Sequence, residues 1–316
     1  SPVNRWIERW NAYWFPETSA LSLAVIRIIA VGTQLFWFFP PLHNQINLLE
    51  RNSHFVQPQL LIRIVSAIVP RELLFTPAAF TVFYWAVVVA GFAALMGLLT
   101  RLSLFVFALG VWIIIAHWYS YAGFHHESAV FCIFLLLLAF TPCGNRLSID
   151  ALIRRRRSIT TPDVVDTGIW PLKVAHVLLA VTYFTAGIAK VVVGGPQWVN
   201  GYTLQNYILS DAIPRGFPFG VWLAQQHTLC VALSVFTLLF ELFFFLSLIF
   251  PRTAPFFLLN GIAFHIGLYL AAGHDFFSHM VLMFLLFVFV QPDWLREWLS
   301  HHVAVRRRLQ SRPALT

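Results

Sequence analysis

Long apolar runs separated by short polar stretches set the rhythm of this chain. Eight of them approach the roughly 20 residues needed to cross a hydrocarbon core. They cover about 20–39, 79–99, 102–122, 128–142, 170–192, 227–250, 254–273 and 276–291. The pattern predicts an all-α fold: a polytopic integral membrane bundle of about eight transmembrane helices. Two further segments, about 56–69 and 202–225, mix apolar with polar residues and are broken by proline. They predict interfacial or re-entrant pieces.

Composition agrees with that reading. Hydrophobic residues make up 59% of the chain and charged residues 11%, with a mean hydropathy of +0.74, against roughly 25% charged in soluble domains. The basic residues orient the bundle. With the N-terminus inside, fifteen of the 21 Lys and Arg residues fall on the inner side, five on the outer, and Arg27 within the first run. The positive-inside rule therefore predicts an N-in, C-in arrangement. The same rule accounts for the run Arg154–Arg157 as a topology determinant that meets anionic membrane lipids, so no nucleic-acid partner is expected. Cys132, Cys143 and Cys230 form no CxxC pair, and disulfide chemistry is not expected. The first run lacks a small-residue cleavage site and is read as a retained span. A single membrane domain over 1–316 is expected, with its core at about 20–292 and a basic cytoplasmic tail at 293–316.

Ionisable groups inside such runs carry the candidate chemistry, because lipid offers them no partner. Lys190 closes the run from Trp170 to Val193. It is either a functional group or an anchor whose stem reaches the headgroups. Arg27 and Glu241 are expected toward the inner side, where they would form a structural ion pair. His176, Asn260 and His265 must also be satisfied internally. His265, near the middle of the seventh run, either faces a cavity shared with Lys190 or donates to a backbone carbonyl.

Most histidines gather toward the outer face: His43, His54, His117, His125, His126, His274 and His279, with Glu127 and Asp275 beside them. Imidazole and carboxylate suit a transition metal. The spacing, however, gives no His-x-x-x-His or Glu-x-x-His pair in this set. No metal is therefore assigned, and the groups are read as interfacial hydrogen-bonding residues.

The run Tyr183-Phe-Thr-Ala-Gly187-Ile-Ala-Lys190, followed by Gln197-Trp198-Val-Asn-Gly201-Tyr202, resembles the signature of the vitamin K-dependent γ-glutamyl carboxylase superfamily, also called the horizontally transferred transmembrane (HTTM) domain. Ala24-Val-Ile-Arg27, His125-His126-Glu-Ser, Leu147-Ser148-Ile-Asp150-Ala, Leu239-Phe240-Glu241-Leu and Phe264-His265 match it in order along about residues 20–290. The resemblance implies a quinol (vitamin K-like) cofactor, with Lys190 as general base. It implies His265 and His126 as groups that orient reactants, and Trp198, Gly187 and Tyr183 at the cofactor site. A neutral lysine is a competent base when desolvation disfavours its ammonium form.

Two departures bear on the reaction. Ala189 stands where animal carboxylases have a second lysine, and the chain leaves no room for their large lumenal domain. Val192-Val-Gly-Gly-Pro196 is also inserted before Trp198. The resemblance thus implies a short-form, carboxylase-like enzyme of a bacterial inner membrane. Its active side would face the periplasm or exterior, and it would act on an exported peptide or membrane-adjacent substrate. Three alternatives stand beside it: a non-catalytic subunit or maturation factor for an exported partner, a metal-binding membrane protein, and a transporter. The last is disfavoured by the absence of an inverted repeat.

Overall fold

The computed structural model describes residues 2–51, 57–121, 127–165 and 168–290. His54, His125, His126 and the expected basic tail lie outside the described residues, as does the side chain of Glu127. The chain divides into two compact units, Ser1–Ala175 and His176–Thr316.

The first unit runs α1 (Pro2–Trp14), β1 (Thr18–Ser19), α2 (Ala20–Phe36), α3 (Leu42–Arg51), α4 (Leu60–Ile68), α5 (Arg71–Leu74), α6 (Pro77–Met96), α7 (Thr100–Tyr119), α8 (Glu127–Leu138), α9 (Ile149–Arg156) and β2 (Val164–Val165), then enters α10 (Trp170–Ala189). The two short strands pair antiparallel. Helices α6 and α7 pack together. Only 28% of the apolar window of α6 is buried, against 61% of that of α7. The first is thus a rim helix and the second a core helix, although both are apolar on every side.

Arg27 shows how this unit meets the rule that lipid offers no partners. It is fully buried. Its guanidinium donates to Cys143 O at 3.1 Å and Leu147 O at 2.5 Å. Both carbonyls belong to the turn beyond α8, outside any helical ladder. In place of the expected pair between Arg27 and Glu241, Arg27 holds these loop carbonyls, with its Nε left without a hydrogen-bond partner among the described residues, and Glu241 holds Lys190.

Asp150 ties α9 to α7. Its carboxylate accepts from Leu99 N at 2.9 Å, Thr100 N at 2.7 Å and Thr100 Oγ1 at 2.7 Å, and so caps α7 from 50 residues away. Burial pushes its carboxyl up, but the two amides, the Thr100 hydroxyl and nearby Arg154 outweigh that and hold it below the usual range.

The second unit continues α10 into a π-helical segment, Lys190–Gly194, and then, from a non-helical turn at Gly195 (φ 53°), into a 3-10 segment, Gly195–Asn200. It then builds α11 (Tyr202–Arg215), α12 (Pro218–Ala224), α13 (His227–Phe243), α14 (Leu246–Ile249), α15 (Ala254–Ala272) and α16 (Phe277–Phe289). Ile208, Ala212, Leu223, Ala224 and Ala271 form a buried cluster where α11, α12 and α15 meet. The proline-broken segment 202–225 becomes α11 and α12, and α12 turns into α13 through 97°.

Each of the eight apolar runs holds a helix, but their lengths differ. Four described helical runs, Pro77–Met96, Thr100–Tyr119, Trp170–Asn200 and Pro251–Ala272, are long and apolar enough to cross a membrane, and the bent pair α12 and α13 would make a fifth. Ala20–Phe36, Ser128–Leu138 and Phe277–Phe289 are shorter apolar helices.

Candidate functional site

Tyr183, Gly187 and Lys190 fall at i, i+4 and i+7, on one face of α10. Lys190 begins the π-helical segment, a local widening of the helix that recurs at functional positions. It does not end the helical path. The backbone leaves the helical conformation five residues on, at Gly195 (φ 53°, ψ −141°), before the 3-10 turns to Asn200, and Lys190 lies about 20 residues from Trp170, near the length that spans a hydrocarbon core.

Its partner comes from α13. Lys190 Nζ lies 2.9 Å from Glu241 Oε1 and 2.7 Å from Oε2. The Glu241 side chain is 7% exposed and that of Lys190 19%. Glu241 is about fourteen residues from the start of α13 at His227. It is also two residues from the end of that helix at Phe243, so the pair joins α10 and α13 near an end of each.

Gly187 makes this approach geometrically feasible. A Cβ there would meet Leu242 Cδ2 at 3.0 Å and Leu242 N at 3.1 Å. A backbone nitrogen cannot swing aside, so only glycine lets α13 come this close to α10, one residue from Glu241.

The Trp-x-x-Gly motif completes the surroundings of the lysine. The Trp198 ring centroid is 5.0 Å from Nζ, within cation–π range. Its indole Nε1 is buried and has no hydrogen-bond partner among the described residues. Gly201, at φ 84°, seats this turn against α13, since a Cβ there would meet Val231 Cγ2 at 2.7 Å and Val231 N at 3.0 Å.

A second polar group lies two turns back along α10. Tyr183 Oη and His265 Nε2 of α15 are hydrogen-bonded at 2.5 Å. Phe240 and Phe244 wall the tyrosine at 5.3 and 4.6 Å between ring centroids. Phe276 stacks on His265 at 4.8 Å, and the His279 ring lies 5.6 Å from that of His265. All three polar side chains are buried. Phe240 and Glu241, neighbours on α13, thus face the two polar groups in turn.

The described members of the outer cluster do not converge. His274 Nε2 pairs with Asp211 Oδ2 at 2.9 Å. Asp275 instead caps α16, accepting from Phe277 N at 3.0 Å. His279 joins Tyr183 and His265. Among the described residues no three His, Cys, Asp or Glu side chains form a group that would hold a metal. The remaining polar groups are satisfied locally: His176 Nε2 with Ser247 Oγ at 2.7 Å, and Asn260 Nδ2 donating to Phe256 O at 2.8 Å.

The structure therefore brings Lys190, Trp198 and Gly187 together around Glu241, with Tyr183 and His265 beside Phe240. His126 lies outside the described residues. Glu241 is the member that sequence reasoning misplaced: counting from the helix ends put it on the inner side and Lys190 at the outer end. The missed signal was chemical, since a carboxylate and an ammonium in neighbouring spans are each other's cheapest partner.

The HTTM domain family matches residues 15–294 of this chain. No curated protein and no solved structure matches it. The match spans nearly all of both units, and the chain belongs to the HTTM domain family, the membrane family linked to vitamin K-dependent carboxylase.

Proposed function

We propose, from that membership, that this chain is a quinol-linked membrane enzyme whose acid–base centre is the Lys190–Glu241 pair. The pair itself is the observation that carries the reading. Bringing two ions into an apolar interior costs several kcal/mol each, and apolar residues of similar volume usually serve stability as well or better. A charge pair buried in this way, with side chains 19% and 7% exposed, is better explained by proton chemistry than by packing.

The side chains present fit a quinol. Lys190 and the unpartnered indole N–H of Trp198 are donors suited to a ring oxygen, and the indole face suits a planar ring. Val191, Val192 and Val193 are exposed beside them, which gives an apolar approach from lipid. A bound hydroquinone would supply an acidic hydroxyl and reducing equivalents for oxygen.

The chain's own part is to move and hold protons. A proton taken up from a reactant raises the charge of the Lys190–Glu241 pair by one, and its exchange between Nζ and the carboxylate across one hydrogen bond then leaves that charge unchanged. Trp198 and the Gly187 contact orient the lysine. Tyr183 and His265 form a second hydrogen-bonded pair for positioning or polarising a reactant, and His126 belongs to the same reading. The substrate class is an exported peptide or a membrane-adjacent group reached from the periplasmic side of a bacterial inner membrane. A maturation subunit is a second reading, favoured by the exposed aromatic residues Tyr202, Tyr207, Phe219 and Trp222 of α11 and α12.

The test is oxygen consumption with reduced vitamin K by the full chain in nanodiscs. Lys190→Ala should remain folded, lose turnover, and lose the quinol-dependent quenching of Trp198 fluorescence, assigned by a Trp198→Phe control. A folded Lys190→Ala protein with undiminished turnover would refute the enzyme reading. Tolerance of the substitution, together with stable co-purification of a partner, would favour the subunit.

A further inference from the structure

The first unit holds a cleft that the proposed chemistry does not use. It has a volume of about 890 Å³ and lies between α9 and the segment that follows it. Its rim carries Arg146 and Arg155 with the hydroxyls of Ser158 and Thr160, and its floor is Leu152 and Ile159. The two apolar side chains are 51% and 52% exposed.

The helix sorts its residues by face. Asp150 turns to the start of α7, and Arg154 donates to Gly144 O in the turn beyond α8. Leu152 and Arg155 line the cleft, whereas Arg156 and Arg157 do not. Arg146 is held at the rim by Asn145 O at 3.2 Å, Thr161 Oγ1 at 3.0 Å and the Asp163 carboxylate. Arg155 has no ion-pair partner among the described residues. A fixed guanidinium, a free one and two hydroxyls around an apolar floor match an amphiphile with a phosphate group. A soluble acidic protein would use the cations but leave the floor unexplained.

We infer that this cleft is a specific site for the headgroup of an anionic membrane phospholipid. Arg155, Arg146 and Ser158 receive the phosphate, and Leu152 and Ile159 receive the start of the acyl chains. This narrows the general attraction of a four-arginine run to one member of it.

The experiment reconstitutes the full chain in bilayers of equal phosphatidylglycerol and phosphatidylcholine, then extracts it in mild detergent and counts retained lipid by native mass spectrometry. Wild type should retain phosphatidylglycerol selectively. Arg155→Gln should lower that retention severalfold, whereas Arg156→Gln, which removes the same charge from outside the cleft, should not. Ile159→Glu, an exposed change that threatens no core, should abolish it. Equal losses from Arg155→Gln and Arg156→Gln would show a diffuse field and overturn the site. Retention unaffected by Ile159→Glu would overturn the apolar floor. Displacement of the lipid by millimolar inorganic phosphate would show a free-phosphate site, and capture of an acidic peptide in its place would show a protein site; either overturns the lipid assignment.

Discussion

Replacing Lys190 by Met, an apolar side chain of similar length, isolates the worth of the buried pair. With Nζ 2.7 Å from Glu241 Oε2, the gross attraction is about 6 kcal/mol at an effective dielectric of about 20. Desolvation of both ions offsets most of it, so the net contribution is small. Removing one partner is a different matter, because it strands the other. That costs about 3–5 kcal/mol for a fully buried pair. Since the Lys190 side chain is 19% exposed, we expect about 2–4 kcal/mol, a fall of roughly 4–8 °C in melting temperature at about 2 °C per kcal/mol. Glu241→Gln alone should cost less, because its amide oxygen still accepts from the ammonium. The double variant should recover much of the Lys190→Met loss, with a coupling of about 2 kcal/mol. Thermal melts of the four proteins in one detergent measure this cycle. If the double variant equals the sum of the singles within about 0.5 kcal/mol, the two groups do not interact and the proposed acid–base centre falls.

Gly187→Ala should separate α10 from α13, because Leu242 N cannot yield. A loss of about 1–3 kcal/mol and of turnover is expected, and Leu242→Ala should restore little of either. Tyr183→Phe removes one side of the bond to His265 and should cost about 1–3 kcal/mol; an unchanged melt together with unchanged turnover would show that bond to be idle. Asp150→Asn weakens the cap of α7 and should cost about 1 kcal/mol at neutral pH. The Asp150 carboxyl is depressed in the folded protein, so its stabilisation is fully present above the unfolded value of about 4 and is lost as pH falls through the lower folded value. Melts of wild type and Asp150→Asn should therefore converge in acid, and a gap that widened there would reverse the sign.

The sequence by itself determined that the chain is helical and lies in a membrane. Runs of apolar residues near the length of a bilayer leave the backbone no alternative to local hydrogen bonds. It also determined which residues are candidates, since Lys190, Glu241 and His265 are costly wherever they sit in such runs. It did not determine who meets whom. Arg27 and Lys190 were equally available to Glu241 by composition, and the turn carbonyls of Cys143 and Leu147 decided the matter by taking Arg27. The conformation at Lys190 was also illegible, because the apolar residues Val191 to Val193 give no sign that the helix widens into π turns there. Gly187 could be read as part of a motif, but its mechanical role needed the position of Leu242, one helix away. Contacts between helices depend on register and on the closest approach of two backbones. Those quantities are set by the packing of the whole unit, not by any one run.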